Sequence, residues 1–304
     1  MEPAPVILAG ATGDLGGRLA RALRARGVPV RALVRPGAAP ADVAALRAEG
    51  VETVEADYAR PSDLARACEG AASVVSALSG LRDVVVGAQT ALLDAAVAAG
   101  VPRFIPSDFA ADFTTMARGT NRNLDLRREF RTRLDSAPLA ATSVLSGMFT
   151  DLLTGQAPIL LFRFRRVVYW GDPDQPLDFT TRDDTARYTA AVALDPSTPR
   201  FLRIAGDTLS ARGLAAAATE STGRPFRLFR AGGLRRLERL IALTRRLAPG
   251  EDDVYPPWQG MQYLHTMFSG RAVLHPLDND RYPQRWTTVR EVLAAHHARQ
   301  QAEG

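Results

Sequence analysis

The chain contains few side chains that can exchange a proton near neutral pH. Its 304 residues include four histidines, one cysteine and no lysine, so all 38 basic residues are arginines. Arginine hardly deprotonates, which excludes any mechanism that needs a lysine side chain. His265 is the most suitable proton donor, because an unperturbed imidazole titrates close to neutral pH. Asp108 is an alternative if burial raises the pKa of its carboxyl group, although it could equally be a structural carboxylate that holds the following loop.

A second group of polar residues could polarise a carbonyl group without supplying a proton. Ser107, Asn121 and Asn123 belong to this group, since hydroxyl and amide groups donate hydrogen bonds while staying neutral. A donor of this kind needs a separate proton source within hydrogen-bonding reach. The remaining candidate donors are the hydroxyl groups of Tyr169, Tyr255 and Tyr263.

A glycine-rich turn near the N-terminus has the spacing of a dinucleotide-binding loop. It follows the apolar run Val6–Ala9 and precedes a helical pattern, which is the context that such a loop requires. Gly10 can adopt the backbone angles of a tight turn, Gly13 leaves room for a pyrophosphate, and Gly16 lets the helix pack closely on the strand. The alternative is a plain strand-to-helix turn. The predicted phosphate-binding residues are Gly10, Thr12, Gly13, Asp14, Leu15 and Gly16.

The residue after the second predicted strand indicates which dinucleotide is bound. NAD sites usually carry an acidic residue about 20 residues beyond the glycines, and this chain has Arg35 there. A guanidinium group suits the 2′-phosphate of NADP(H), often through two parallel hydrogen bonds. Arg18 and Arg31 are weaker candidates for the same phosphate, and Arg35 could instead be a solvated surface residue.

Alternating strand and helix patterns must position these residues. They extend over residues 5–150 and predict an α/β protein with a doubly wound parallel sheet and helices on both faces, the Rossmann fold. The regular alternation of strand and helix patterns ends after Gly147. We therefore predict a nucleotide-binding domain over residues 1–150 and a smaller C-terminal substrate-binding lobe over residues 151–304, with the segment 180–206 returning to the first domain.

Local signals predict several details of the C-terminal half. Residues 177–179 are expected to pair back on the strand 160–170 across a turn rich in proline and aspartate. Ser210 is expected to cap a helix, and Thr288 with Glu291 forms the pattern of a capping box. The alternating leucines and arginines of residues 224–246 are typical of an amphipathic helix with a solvated side, although a nucleic-acid-binding face is an alternative.

Several motifs occur in chain order and together carry a family resemblance. They are Gly10-Ala11-Thr12-Gly13-Asp14-Leu15-Gly16, Leu33-Val34-Arg35-Pro36, Glu55-Ala56-Asp57-Tyr58 and Arg103-Phe104-Ile105-Pro106-Ser107-Asp108-Phe109. The chain resembles the NmrA-like and isoflavone-reductase-like branch of the atypical short-chain dehydrogenases/reductases over most of residues 5–223. This branch includes both true reductases and catalytically silent NADP-binding regulators.

The resemblance implies further positions along an NADP(H) cofactor. Asp57 would lie near the adenine, although it could simply be a turn residue that ends a strand. Leu78 and Ser79 would pass along the cofactor after the fourth strand. Ser107 and Asp108 would end the fifth strand beside the nicotinamide.

The chain departs from the family at the catalytic position. Isoflavone-reductase-like enzymes have a lysine there, on a helix that carries paired basic residues, and the matching position is close to Asn123. A Tyr-x-x-x-Lys pair is also missing. The proton relay that usually accompanies this cofactor site is therefore absent.

A substrate pocket is expected above the carboxyl ends of the strands. Such pockets are lined mainly by apolar and aromatic side chains. The candidate lining residues are Phe109, Met148, Phe149, Trp170, Tyr255, Trp258, Met267 and Phe268.

The composition of the chain limits which binding partners and which cellular compartment we expect. The net charge of +5 is modest for this length, so we expect no nucleic-acid partner. No apolar run has the length of a membrane span, the N-terminus does not look like a signal peptide, and we expect no membrane partner. The single Cys68 forbids an internal disulfide, which agrees with the cytoplasm. His296 and His297 match no metal-site spacing, and no metal is expected.

We therefore predict an NADPH-dependent reductase that transfers a hydride to a small, mostly apolar ketone, enone or imine. The alternative is an NADP(H)-binding redox sensor without catalysis that presents its second lobe to a partner protein. The aromatic C-terminal half favours the reductase, and the missing lysine favours the sensor. The oligomeric state is left open, with a homodimer as one option.

Overall fold

The computed structural model describes residues 3–303, which form two compact units. Unit 1 comprises Met1–Phe109, Leu126–Val144 and Thr185–Leu202. Unit 2 comprises the rest: Ala110–Asp125, Leu145–Asp184 and Arg203–Gly304. The chain therefore passes from one unit to the other several times. The predicted boundary near residue 150 concerns folding domains and stays a prediction.

Unit 1 contains a parallel sheet of six strands in the order β3-β2-β1-β4-β5-β6. The strands are β1 Val6–Ala9, β2 Val30–Val34, β3 Glu52–Glu55, β4 Ser73–Ser76, β5 Arg103–Ile105 and β6 Ala140–Ala141. This order reverses between β1 and β4, and ligands of such sheets bind at the carboxyl ends of the strands near the reversal. The predicted Rossmann fold is confirmed.

Helices alternate with these strands, as the sequence pattern predicts. They are α1 Asp14–Arg24, α2 Pro40–Ala48, α3 Pro61–Cys68, α4 Gln89–Ala98, α5 Arg122–Leu134 and α6 Arg182–Val192, with a π-helical turn at Asp83–Ala88. Ile7 and Val74 of the central strands pack with Leu92 and Phe130 of the helices, and all four are completely or almost completely buried. Burial of each such side chain stabilises the fold by about 1.5–3 kcal/mol.

The remaining strands are short and form three small sheets. Their orders are β14-β10-β9, β13-β11-β8 and β12-β7. The strands are β7 Ser143–Leu145, β8 Met148–Phe149, β9 Leu160–Leu161, β10 Arg166–Trp170, β11 Leu177–Thr180, β12 Phe201–Arg203, β13 Asp207–Leu209 and β14 Arg227–Gly232.

Four helices complete unit 2 and share its core with the small sheets. They are α7 Ala211–Thr222, α8 Leu234–Leu247, α9 Pro257–Phe268 and α10 Val289–Glu303. Val167, Leu214, Leu237 and Leu293 meet in this core and are fully buried. None of the helices in residues 3–303 has the length and apolar character needed to cross a membrane.

The local predictions for unit 2 have mixed outcomes. Ser210 caps α7, because its hydroxyl oxygen accepts a hydrogen bond from the Gly213 N–H at 3.3 Å. The capping box at α10 is also present, with the Thr288 N–H donating to Glu291 at 2.8 Å. The predicted pairing of residues 177–179 with the strand 160–170 is wrong. The strand β11 pairs with β8 and β13 instead, since it is buried throughout its length and needs a partner on each side.

Candidate functional site

The glycine loop between β1 and α1 is tight at two of its three glycines. Gly10 has a φ of +80°, and a Cβ atom there would lie 2.7 Å from the Ala77 carbonyl oxygen. A Cβ atom at Gly16 would lie only 1.9 Å from the Gly10 carbonyl oxygen. At Gly13 the nearest atom would be 3.4 Å away. The fold therefore requires glycine at positions 10 and 16, whereas a Cβ atom at position 13 would make only an ordinary van der Waals contact with the protein.

The start of α1 is available to an anion. Gly13 is the N-cap residue, and none of the described side chains caps this helix. Asp14 lies in the first turn and pairs with Arg18 at 2.6 Å, so its negative charge is balanced locally. Backbone N–H groups and the helix dipole at such an N-terminus favour a phosphate. Thr12 is exposed and Leu15 is half-buried in the same loop.

Arg35 differs from the two other arginines considered for the 2′-phosphate. Its side chain is exposed and makes no hydrogen bond or ion pair with any residue in the described part of the chain. Arg31 instead donates to Glu52 at 3.0 Å and to the Ala67 carbonyl at 2.9 Å, while Arg18 is paired with Asp14. Of the three guanidinium groups, that of Arg35 is therefore the one ready to bind a ligand.

The neighbouring strand ends supply the other predicted cofactor residues. The Asp57 carboxylate follows β3, accepts a hydrogen bond from the Ala59 N–H at 2.9 Å and lies 3.6 Å from the Arg60 guanidinium. These contacts suit a turn residue. After β4, Leu78 packs against the core of unit 1 and Ser79 is exposed. Their roles toward a cofactor stay predictions.

Ser107 and Asp108 follow β5 in unit 1, and both are buried. The Ser107 N–H donates to the Gln89 side chain at 3.0 Å, and its carbonyl accepts from Arg127 at 3.1 Å. Asp108 accepts a hydrogen bond at Oδ2 from the Ser143 hydroxyl at 2.6 Å, while its Oδ1 has no partner among the described residues. Burial raises the pKa of Asp108.

Two residues that the sequence did not single out orient Asp108. The Arg200 guanidinium donates to the Ser143 oxygen at 2.7 Å and to Asp135 at 2.7 Å. Because the Ser143 oxygen accepts from Arg200, the Ser143 proton points to Asp108. Positions 108, 143 and 200 are far apart in the chain, and no local motif signals their contact.

Asn123 lies at the start of α5 in unit 2 and is held by neighbouring groups. Its amide nitrogen donates to the Val254 carbonyl at 2.9 Å, and its amide oxygen accepts from Arg122 at 3.1 Å. The Arg122 guanidinium also donates to the Asp253 carbonyl at 2.8 Å. The Asn123 amide therefore has a fixed orientation.

Asn121 belongs to a buried polar cluster with α9. Its amide oxygen accepts from Gln259 at 2.8 Å, and its amide nitrogen donates to Thr266 at 3.3 Å. One turn along α9, the Gln262 side chain accepts from the Arg122 N–H at 3.0 Å. Buried polar groups paired in this way hold a structure together.

His265 lies on α9, and its ring contacts α8. The Nε2 atom lies 3.0 Å from a carboxylate oxygen of Glu238. His265 contacts α8, whereas Asn123 contacts the Val254 carbonyl, so the two side chains are held by different segments of unit 2. The role of His265 stays a prediction.

The predicted pocket residues have varied environments. Trp170 and Phe268 belong to the core of unit 2, and Phe109 is buried in unit 1. Trp258 is fully buried and donates from its indole to the Pro249 carbonyl at 2.6 Å. The others are Met148 and Met267, which line a small cavity, Phe149, which lies under the Arg182 guanidinium, and Tyr255, which is exposed.

Unit 2 also contains a larger cleft of about 480 Å³. Its lining is polar and charged rather than aromatic, so it differs from the predicted apolar pocket. The lining residues are Gly119, Glu238, Ile241, Ala242, Arg245, Arg246, Glu251 and Gln262. In residues 3–303, no group of three or more histidine, cysteine or acidic side chains could hold a metal ion.

Comparison with known proteins identifies relatives that share this architecture. The curated relatives include pinoresinol reductase 1 from Arabidopsis thaliana, 31% identical over 211 residues that cover 65% of this chain and 67% of that protein. A bifunctional pinoresinol-lariciresinol reductase from Linum perenne is 27% identical over 241 residues, covering 73% and 76%.

Solved structures show the same fold over almost the whole chain. An isoflavone reductase superposes with a TM-score of 0.81 at 19% identity, covering 96% of this chain and 99% of that one. A complex of leucoanthocyanidin reductase with NADPH from Vitis vinifera superposes with a TM-score of 0.80 at 19% identity, covering 97% and 100%. A model of the NmrA-like family matches residues 4–243. The chain therefore belongs to the NmrA-like family, as its motifs predict.

Proposed function

We propose that this protein is an NADPH-dependent reductase of a small, mostly apolar ketone, enone or imine. The two curated relatives described above are reductases by name, which supports the general class of NADP-dependent oxidoreductase. The observation that carries the cofactor assignment is the exposed guanidinium of Arg35 after β2, which has no partner among the described residues. A cytoplasmic location belongs to the same proposal, since the one cysteine, Cys68, is buried and free.

The residues around the glycine loop fit a phosphorylated dinucleotide. The start of α1, which none of the described side chains caps, and the exposed Gly13 without a side chain suit a pyrophosphate, and Arg35 suits a 2′-phosphate. Asp57 follows β3 and Leu78 and Ser79 follow β4, the strands on either side of the β2-β1 pair, and the three residues would contact the rest of the cofactor. When bound, NADPH supplies the hydride.

The chain itself must polarise the substrate and deliver a proton. Among the predicted donors, Asp108 has the most suitable surroundings, because it is buried, its Oδ1 is unpartnered and Ser143 holds its Oδ2. On proton release from Oδ1 to the substrate, the hydrogen bond from Ser143, backed by Arg200, would stabilise the carboxylate. His265 is the second candidate, and Ser107 and Asn123 are the candidate polarising groups.

Turnover of NADPH tests this function directly. The protein is incubated with NADPH and a panel of ketones, enones and imines, and loss of the absorbance band of the reduced nicotinamide is followed. We expect Asp108→Asn to abolish turnover while NADPH affinity is unchanged, and His265→Ala to leave at least part of the activity. Full activity in Asp108→Asn, with loss in His265→Ala, would assign the proton to His265.

A second candidate function follows from the residue at the start of α5. Asn123 stands close to the position of the family lysine, and the chain has no lysine elsewhere. The protein would then be an NADP(H)-dependent redox sensor that binds a partner. No turnover with any compound of the panel, together with a large difference in affinity between NADP⁺ and NADPH, would favour the sensor over the reductase.

A further inference from the structure

Helix α8 has one face in the core of unit 2 and another in solvent. Leu237 is fully buried, and Leu234, Leu240 and Ile241 pack against the same core. Residues spaced by three, four and seven positions share a helix face. The outer face is defined by exposure to solvent: it comprises Arg236, Arg239, Leu243, Arg246 and Leu247, all of which are exposed.

The outer face of α8 contains two exposed leucines beside its three arginines. Leu243 is 52% exposed and Leu247 is 74% exposed, although they are four residues apart on one face. The strand β14, which precedes α8 directly, exposes Phe229 to 53%. Single exposed apolar residues are common, but two leucines one turn apart on the same exposed helix indicate a surface that a partner or a membrane covers.

The arginines of the outer face lack acidic partners. Arg236, Arg239 and Arg246 make no hydrogen bond or ion pair through their side chains with any residue from 3 to 303. The only acidic residue of α8 is Glu238, which contacts His265 on another side of the helix. The face therefore combines unneutralised positive charge with exposed leucines.

Charge decides which occupant fits this face. A second copy docked through the same face would bring arginine against arginine, which repels. Nucleic acid would satisfy the arginines but would leave the leucines in water. An anionic bilayer satisfies both, because leucines enter the boundary of the acyl chains while arginines reach the phosphates from flexible apolar stems.

We infer that the outer face of α8 docks this protein peripherally on an anionic phospholipid surface. The strand β14 shows a similar combination of residues, since the exposed Phe229 lies between the exposed Arg227 and Arg230. The inference is independent of the reductase proposal, since it needs neither cofactor nor turnover. It departs from the expectation that a membrane is not a partner, because exposure of the leucines could not be known from the sequence.

Flotation with lipid vesicles tests the docking. The full chain is mixed with vesicles of phosphatidylcholine alone or of phosphatidylcholine with an equal part of phosphatidylglycerol. We expect binding to the anionic vesicles only, weakened by salt. The triple variant Arg236→Glu, Arg239→Glu, Arg246→Glu should bind at least ~100-fold more weakly, since each arginine at an anionic surface contributes roughly fivefold.

A matched variant separates this face from general charge attraction. Arg26, Arg133 and Arg299 are exposed and lie on other elements, and reversing them to glutamate changes the net charge equally. This control should keep most of the binding to anionic vesicles. The pair Leu243→Ser, Leu247→Ser keeps every charge and should still reduce binding about tenfold or more, because apolar burial is lost.

Several outcomes would overturn the inference. Equal losses in the two triple variants would mean that net charge alone attracts the protein. Binding of the wild type to single-stranded DNA, without binding to anionic vesicles, would assign the arginines to nucleic acid. Circular dichroism checks folding of each variant, and Arg236→Gln, Arg239→Gln, Arg246→Gln replaces the charge reversal if that variant does not fold. Unchanged vesicle binding by this neutral variant would also contradict the inference.

Discussion

The glycine loop of unit 1 and the start of α5 in unit 2 differ in how their polar groups are satisfied. In unit 1, the start of α1 has no side-chain cap, and Arg35 has no partner among the described residues. In unit 2, Asn121 and Asn123 are already bonded to α9 and to the Val254 carbonyl. Open groups at strand ends are suited to a ligand, whereas paired buried groups stabilise the protein. The groups around the glycine loop are therefore available to a ligand, whereas the amides of Asn121 and Asn123 already make hydrogen bonds within the protein.

Among the variants that test this difference between the two regions, replacement of the loop glycines should change stability and NADPH binding most. In Gly16→Ala the new Cβ would meet the Gly10 carbonyl at 1.9 Å, so we expect a loss of about 1–3 kcal/mol or more in stability and no NADPH binding. In Gly13→Ala the nearest atom is 3.4 Å away. This variant should keep its stability and lose cofactor affinity. Thermal unfolding with and without NADPH measures both effects, and equal destabilisation of the two variants would contradict the distinction.

Removal of the Asn121 side chain tests whether the start of α5 is structural. Asn121→Ala leaves Gln259 and Thr266 without their partner, which should cost about 1–3 kcal/mol for each unsatisfied group. Urea denaturation measures this loss. Thr120→Ala, at the adjacent position, removes a single hydrogen bond from the Thr120 hydroxyl to the Ala117 carbonyl at 2.7 Å and should lower the free energy of unfolding by only about 0.5–1.5 kcal/mol. An Asn121→Ala variant of normal stability that lost turnover would mean that this region is catalytic after all.

Replacement of Arg35 tests whether the exposed groups near the glycine loop bind the cofactor. Arg35→Ala should weaken NADP(H) binding by about 1.5–3 kcal/mol, the value of a charged hydrogen bond, and should leave NAD(H) binding unchanged. Arg31→Ala is the matched control, since Arg31 binds Glu52 and a backbone carbonyl. It should lower stability without changing cofactor preference. Fluorescence titration of NADP(H) and NAD(H) against both variants measures the cofactor preference. An unchanged preference for NADP(H) in Arg35→Ala would refute the assignment of Arg35 to the 2′-phosphate.

The smallest effect should be the pH dependence of stability caused by Asp108. Burial raises the pKa of Asp108 in the folded state, despite the opposing hydrogen bond from Ser143 and the nearby Arg127, Arg131 and Arg200. Between the unfolded-state pKa of about 3.9 and the higher folded-state pKa, the native protein binds more protons than the unfolded chain. Its contribution to stability is therefore complete below this window and is lost as pH rises through it.

Asp108→Asn removes this titration. The variant should lose less stability than the wild type as pH rises through the window, as measured by urea denaturation at a series of pH values. Asp94→Asn, on the exposed side of α4, is the control and should leave the slope of the wild type unchanged. Identical slopes for Asp108→Asn and the wild type would mean that Asp108 titrates normally.

Sequence patterns predicted unit 1 better than unit 2. The alternation of buried strands and helices determines a parallel sheet, and both the Rossmann fold and the family are confirmed. In unit 2 the predicted hairpin of residues 177–179 is wrong, because a turn signal describes only neighbouring residues. The actual partners of β11 are β8 and β13. In the pairing with β8, Phe179 lies opposite Met148, which is about 30 residues earlier in the chain.

The candidate sites show the same dependence on distance along the chain. Gly10, Gly13 and Gly16 form one loop, so their spacing alone indicated a phosphate site. Ser143 and Arg200 have no such spacing relative to Asp108, and their hydrogen bonds arise only when the chain folds. Their part in holding Asp108 could not be inferred from the sequence.

The sequence by itself determined the glycine loop, the arginine at position 35 and the absence of any lysine, since these depend on residue type and local spacing. Only the tertiary structure decided which groups are free. It engages Arg31 with Glu52 but leaves Arg35 unpaired, buries Asp108 beside Ser143, and exposes Leu243 and Leu247. The physical reason is that solvation and pairing depend on contacts between distant segments, which the order of residues does not contain.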